Sequence, residues 1–553
     1  MSRHRFVFVA ATLLCVHLVS SACALDGGTL RVTPRNGWRA FEVISVGDNP
    51  AGDGSNYSIL GTFDGIGAWQ PDADTLRLEI NHEEDDGAIG EVNLNLANFK
   101  TAIRNTISSG TPGGVTFVHS ARQAYGRWSD NGGASWTTTS DVSNTSFSKY
   151  CSGQSYHPNT FGPGRGFADY LYITGEEFTS TNRLFALDLV NRDFYRLSGV
   201  TGSAGGGGIG GMPFDSYENA ALLDTGETNY VALLLSPDGN TQDMKLYIGQ
   251  KGKDTTGAAS NSFLARNGLA YGSYYYLNDT LPGSGTSTDG FFDTTAAGAL
   301  HSAKLEDVDT NPNDPTQVVL GVQETGLFTL SFNLNFSGGS FSAAGSSFSI
   351  TKIQNHVNDT DNAFGDADNV DWTVATTLGG VSYPDGLIFV NEDSGTDNGE
   401  TWMMTPTGSG LTKIADTAPT DVATTETSGI LDISTLVGFK PGSILVTSSQ
   451  GTASSLTVLI NPNAALAGDF NGNGIVDGAD YVVWREGLGT TYTQTDYDLW
   501  RSQFGQTPAS LGAGIGSAFD GNVTVPEPAG ATFGLLAALG AGCSLRFRCA
   551  IVA

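Results

Sequence analysis

Short β-type runs broken by clusters of Gly, Asn, Asp and Ser continue from Asp26 to Pro462, with no long stretch of helical periodicity. That pattern constrains the chain more than any other feature. Thr75–Asn81 puts Leu76, Leu78 and Ile80 on one face, and Tyr230–Leu235, Lys245–Ile248, Gln317–Val322, Leu327–Phe332, Gly386–Val390 and Ile444–Thr447 read alike. So many short strands over roughly 430 residues predict a large all-β domain at 26–462. A β-propeller is the economical arrangement, because radial repetition takes up many strands while leaving only short edges. The glycine run Thr201–Met212 reads as a flexible loop.

The cysteines withhold the usual staple of an exported fold. Residues 1–24 read as a signal peptide: Arg3 and Arg5, an apolar run from Phe6 to Val19, then Ala22-Cys23-Ala24 with cleavage expected after Ala24. A lipoprotein signal is the other reading of Cys23, but Ser20 stands where that signal usually has Leu. Of the five cysteines, Cys15 and Cys23 fall in this segment and Cys543 and Cys549 in the terminal tail. Cys151 is left alone, so the mature chain has no intramolecular disulfide to make, and bound metal becomes a candidate for holding it together. With 57 acidic against 27 basic side chains and a net charge of -30, the chain would repel nucleic acid and suit hard cations. The same acidity also serves simple solubility.

Three segments carry signatures of their own. Ser129-Asp130-Asn131-Gly132-Gly133-Ala134-Ser135-Trp136 resembles the Asp-box hairpin of sialidase-like propellers, with Asn131 where that box has Asp. After Pro462, Asp469, Asn471, Asn473, Asp477 and Asp480 occupy loop positions one, three, five, nine and twelve, with Gly474 at six, the spacing that wraps a Ca²⁺ ion. Tyr481-Val482-Val483-Trp484-Arg485 follows as the start of a helix, and residues 464–506 resemble a type I dockerin. That resemblance implies a cohesin-like partner. Asp496-Tyr497-Asp498-Leu499-Trp500-Arg501 echoes the repeat sixteen residues on, without the acidic loop, so one calcium site is expected. A linker at 507–524 leads to Val525-Pro526-Glu527-Pro528, an apolar run from Ala529 to Leu545, and Arg546-Phe547-Arg548, which resembles a PEP-CTERM sorting signal over 525–553. Sorting machinery at the cell envelope, or a simple membrane anchor, is the implied partner of this tail; the globular part is expected outside the cell.

Several β-type runs end in acids: Ile80-Asn81-His82-Glu83-Glu84, Gly175-Glu176-Glu177 and Val390-Asn391-Glu392-Asp393. If these are innermost propeller strands running in one sense, the ends gather at one mouth of the channel, where mutual repulsion calls for cations. Together with Cys151-Ser152-Gly153, Tyr217-Glu218-Asn219-Ala220, Lys304-Leu305-Glu306-Asp307, Asp368-Asn369-Val370 and Glu392-Asp393-Ser394-Gly395, they resemble the PhoX-type alkaline phosphatases. The resemblance implies a six-bladed propeller holding iron (Fe³⁺) and Ca²⁺ in an axial pocket and hydrolysing small phosphomonoesters. It makes Cys151 the thiolate ligand, Glu83, Glu176, Glu177, Glu218 and Glu306 the leading carboxylate ligands, and Asp368, Asn369, Glu392 and Asp393 lesser ones. Lys304 stands where that family has Arg and would grip a phosphate oxygen as a point charge. Between Cys151 and Glu176 the family's Trp-rich run is replaced by His157-Pro158-Asn159-Thr160-Phe161-Gly162. No Gly-x-Ser-x-Gly, His-Glu-x-x-His or Gly-x-x-x-x-Gly-Lys motif occurs, which argues against serine hydrolase, zincin and nucleotide-binding chemistry. The competing reading is a cell-surface propeller that keeps calcium for stability and binds a partner or glycan without turnover.

Overall fold

The computed structural model describes residues 30–506, apart from residues 55, 139–146, 178–182, 198–210, 214, 238–241, 303, 358–362, 394–398, 418–425 and 452. The expected signal peptide, most of the glycine run, Ser394-Gly395, and the expected linker and sorting tail lie outside the described residues. The chain forms two units, the first ending at Ala464 and the second beginning at Ala465.

The first unit is an all-β propeller. Six innermost strands, Phe63–Trp69, Tyr150–Tyr156, Asn219–Leu223, Leu305–Thr310, Ala367–Trp372 and Glu426–Asp432, neighbour one another in that cyclic order, and the last packs against the first. Each begins a blade, numbered 1 to 6 here, whose strands pair antiparallel, except that Arg127–Ser129 joins the edge of blade 2 parallel to Asp193–Arg196. Blades 3 and 4 fuse at their outer edges through Ser287–Asp293, which pairs with both Gly272–Asn278 and Ser347–Asn355 to make one nine-stranded sheet. The N-terminal strand Arg39–Ser45 completes blade 6, in register with Ser455–Ile460, while Val32–Pro34 extends blade 5. A ladder of backbone hydrogen bonds therefore latches the ring, with no disulfide among the described residues to do so.

The apolar residues sit between blades. In Tyr230–Ser236, Val231, Leu233 and Leu235 pack toward blade 2, whereas Ala232 and Leu234 pack toward blade 4. Likewise Val318 and Leu320 join the cluster shared with blade 3, and Val319 the one shared with blade 5. Period-two alternation thus supplies two seams from one strand, which is why these strands are apolar throughout. Burying each such Leu or Val contributes about 1.5–3 kcal/mol.

Near the axis the seams close by a different device. Asn81, next to last in the second strand of blade 1, donates to the carbonyls of Cys151 and Ser152 (3.2 Å to the latter) and to Thr174 Oγ1 (2.8 Å) in blade 2. Asn391, at the same place in blade 5, donates to Ser428 O, Gly429 O (3.1 Å) and Thr447 Oγ1 (2.9 Å) in blade 6. Blades 2 and 4 have glycine there instead: a Cβ on Gly175 would lie 2.1 Å from Tyr217 O, and one on Gly321 2.8 Å from Asp368 O. Backbones this close leave room for an amide that bonds them or for no side chain at all.

The expectation of no long helical stretch is corrected by Leu96–Ser109, a 14-residue helix between the third and fourth strands of blade 1. Asn95 caps its N-terminus through Asn98 N, and Gly110 (φ +83°) ends it in the left-handed region. Leu96, Phe99, Ala102, Ile103 and Thr106 form its buried stripe. The Asp-box-like segment forms the hairpin between Arg127–Ser129 and Thr137–Thr138 at the outer edge of blade 2. Asn131 Oδ1 accepts from Ser135 N (2.8 Å), the turn-closing task expected of a carboxylate there.

Two measurements probe this packing. A Cβ on Gly65 would lie 2.4 Å from Gly153 N, whereas nothing lies within 4 Å of one on Gly126. Gly65→Ala should therefore lower the urea midpoint by the equivalent of about 1–3 kcal/mol, with Gly126→Ala close to unchanged. Glu79, which accepts from Trp69 Nε1 (2.9 Å) in the seam between blades 1 and 2, is pushed up to about 8 by burial and then by Glu91. The folded chain keeps a proton that the unfolded chain releases near its ordinary value of 4.5, so this group's contribution to stability falls as pH rises between those two values. Glu79→Gln should flatten that slope in thermal melts taken from about pH 5 to about pH 8.

Candidate metal centre

The acid-ending runs turn out to be second strands, not innermost ones. Their ends still reach the axial mouth, because each is antiparallel to an innermost strand: His82 pairs with Phe63, Glu176 with Tyr150 and Glu392 with Ala367. The mouth is thus built from the beginnings of the inner strands, carrying Asp64, Cys151, Glu218, Glu306, Asp368 and Glu426, and from the residues just past the second strands.

Two triads stand there. The ligand atoms of Glu83, Cys151 and Glu177 all lie within 4.8 Å of one another, and so do those of Glu218, Glu306 and Asp368. The Cys151 thiol donates to Glu177 Oε2 (3.3 Å). Asp64 links the groups electrostatically, since Glu218 of one triad and Glu83 of the other both act on it. Beneath them runs a polar lattice: Asn369 Nδ2 donates to Ser152 Oγ (2.6 Å), Ser152 Oγ to Glu218 Oε1 (2.5 Å), and Ser428 Oγ to Asp64 Oδ1 (2.6 Å) and Asn369 Oδ1 (3.0 Å). Gln450 Nε2 donates to Asp64 Oδ2 (3.2 Å). Lys149 Nζ approaches Glu83 Oε1 (3.3 Å) and Lys304 Nζ approaches Glu306 Oε1 (3.6 Å), each with its side chain partly in solvent.

Charge is the dominant fact of this mouth. Burial, followed by Glu218 and Glu83, raises the Asp64 carboxyl well above its ordinary value. Asp368 is raised by burial, then Asp64, Glu306 and Glu218; Glu426 by burial, then Asp393, Asp64 and Glu83. The Cys151 thiol is driven up by burial, then Glu218, Glu177 and Glu83. Such a set either takes up protons or is neutralised by cations, and a cation near both triads opposes these shifts. Hard oxygens with one soft sulfur suit a mixed set of ions, the carboxylates a hard cation such as Ca²⁺ and the thiolate a softer transition metal.

The remaining sequence-derived candidates have other partners. Glu176 is fully buried in an ion pair with Arg183 and also accepts from Ser148 N (2.8 Å), so it braces blade 2 beside the first triad. Glu392 accepts from Gly365 N (2.5 Å), and Asp393 Oδ2 accepts from Gln323 Nε2 (2.6 Å). Asn369 serves the lattice, and His157 lies in an exposed turn. The reading by sequence missed Asp64, Glu426 and Lys149. Phe63-Asp64-Gly65 offered one signal, a carboxylate inside an otherwise apolar and glycine-rich run.

The second unit holds two helices, Gly478–Gly487 and Gln494–Gln503. Their indoles are exchanged: Trp484 Nε1 donates to Thr493 O and Trp500 Nε1 to Asp477 O, both 2.8 Å, each carbonyl belonging to the other helix's N-cap. In the loop before the first helix, Asp469 accepts from Asn473 N (3.1 Å) and Gly474 N (2.8 Å), and Asn473 Oδ1 from Ile475 N (2.8 Å). Asn471 Oδ1 accepts from Asn473 N (2.9 Å), and Asp477 caps the helix through Ala479 N. Asp480 accepts from Phe470 N, Asn471 N and Asp477 N. Gly474 takes φ +82° at loop position six, the sharp turn a calcium loop requires. The second copy shares the capping box, with Thr493 and Asp496, but has no equivalent loop of oxygen side chains before it.

No protein-family model and no curated protein matches this sequence. Among solved structures, the chain is similar to the β-propeller domain of Cps50 (Swd1) from Myceliophteria thermophila, at 8% identity over 72% of this chain and 96% of that one, with a TM-score of 0.31. It is also similar to a candidate 6-phosphogluconolactonase from Bacteroides uniformis, at 10% identity over 72% of this chain and 85% of that one, with a TM-score of 0.29. Superposition at that level carries no functional argument, so the propeller stands on the chain's own cyclic strand order.

Proposed function

We propose that the axial mouth is a multimetal centre that hydrolyses small phosphoesters. The observation that carries this reading is the pair of triads, one containing a thiol, set within one lattice and flanked by two lysines. Glu83, Cys151 and Glu177 would hold the softer ion, and Glu218, Glu306 and Asp368 the harder. Bound iron and calcium would supply the Lewis-acid charge that offsets the developing charge on phosphoryl oxygens. The chain's own contribution is positioning. Ser152 and Asn369 fix Glu218, Asn81 fixes the Cys151 peptide, and Lys304 offers a partly exposed ammonium to a phosphate oxygen.

We assign the loop Asp469–Asp480 to one Ca²⁺ ion, on the support of its oxygen spacing and the Gly474 turn. A cohesin-like partner for the helix pair, and sorting through the C-terminal tail, belong to the same reading.

Purified protein, reconstituted with iron and calcium and assayed on a generic phosphomonoester while its metals are counted, should hydrolyse it. Absence of both iron and turnover would leave the non-catalytic surface propeller as the better reading. Cys151→Ala should lose iron and at least about tenfold in rate, with its circular dichroism unchanged. Full iron content in that variant would remove the thiolate assignment. For the second unit, Asp469→Ala should lower the calcium count by one per chain and Asp496→Ala should not change it.

A further inference from the structure

Deeper along the axis is a water-sized cavity to which all six innermost strands contribute, through residues such as Ile66, Gln154, Asn219, Asp309, Asp371 and Leu431. It lies one step below the mouth, since its lining begins at Gly65, Asp307 and Asn369, each next in sequence to a mouth residue. Asp309 and Asp371 lie three residues further along their strands than Glu306 and Asp368, up to about 10 Å at the strand rise. No lysine or arginine lines it.

Its three carboxylates are bonded unequally. Asp307 accepts from Val308 N (2.7 Å), Val370 N (3.0 Å) and Asn219 Nδ2. Asp309 accepts from Thr310 N and Trp372 N, both 2.7 Å, and from Gln154 Nε2. Asp371 differs: it is 7% exposed, and its Oδ2 is buried with no hydrogen-bond partner. The carboxylate's backbone hydrogen bond, from Asp432, leaves that oxygen unmet. An oxygen left so in an anionic cavity is destabilising, more so if charged, unless a ligand meets it.

We propose that this cavity is a second, axial cation site, in which Asp371 Oδ2 binds a hydrated divalent ion directly while Asp307 and Asp309 hold its waters. The oxygens of these three residues are not among the groups that converge within 4.8 Å, so the outer two act through water. Calcium suits the arrangement, since it accepts an irregular shell of carboxylate, carbonyl and water oxygens. Magnesium would keep more of its water and is the second arm of the test.

The test counts metal on the full chain after chelation and dialysis against calcium alone or magnesium alone. Asp371→Asn should hold one fewer calcium per chain than the unmodified protein. Cys151→Ala should retain that ion, so loss of the mouth assignment and loss of the axial one remain separable. An equal calcium count in Asp371→Asn overturns the axial site, and a difference seen with magnesium alone overturns the choice of calcium. If Asp371→Asn does not fold, crystals of the unmodified protein soaked in manganese decide: an anomalous peak beside Asp371 supports the site, and its absence overturns it.

Discussion

Close approach of six backbones around one axis is the constraint on which the rest of this structure depends. Strands that converge so tightly cannot all carry side chains into the seams, and the chain answers with Gly65, Gly175, Gly321 and Gly429 or with the bridging amides of Asn81 and Asn391. The same convergence compresses whatever the strands carry at their starts. Asp64, Cys151, Glu218, Glu306, Asp368 and Glu426 come from separate blades, and none is within forty residues of the next in sequence. Their mutual repulsion is therefore a product of architecture, and a fold that tolerates it needs protons or counter-charge at that place.

What the sequence made legible follows from where each strand sits. Gln317–Val322 is a strand with the very bounds its alternation suggests, and the other six runs read from apolar pattern all fall on second or third strands. These are buried between two blades and so must be apolar. The innermost strands face the axis, where Asp307, Asp309, Asn369 and Gly429 replace the apolar signal, and their position was not legible. The helix Leu96–Ser109 was written plainly in its spacing of three and four, yet β-type flanks masked it.

The site divides in the same way. Acids that end an apolar run, such as Glu83 and Glu177, stand out because the run frames them. Doublets do not reveal which member faces the axis. Glu176 and Glu177 look equivalent in sequence, but Glu176 points to Arg183 and Glu177 to Cys151, because neighbours in a strand point to opposite faces. Asp64 and Glu426 needed the closed ring to reveal their company.

The latch of Arg39–Ser45 onto Ser455–Ile460 sets an order of events. Blade 6 lacks its outer strand until both ends of this unit have been made, so the ring can close only after nearly the whole propeller is available. Asp64 belongs to the first blade and Glu426 to the last, and they become neighbours at that closing step. Until then the anionic mouth is open between its first and last blades. An ion that bridges them would act on the last stage of folding, drawing the two ends of the circle together at the moment the site acquires its full charge.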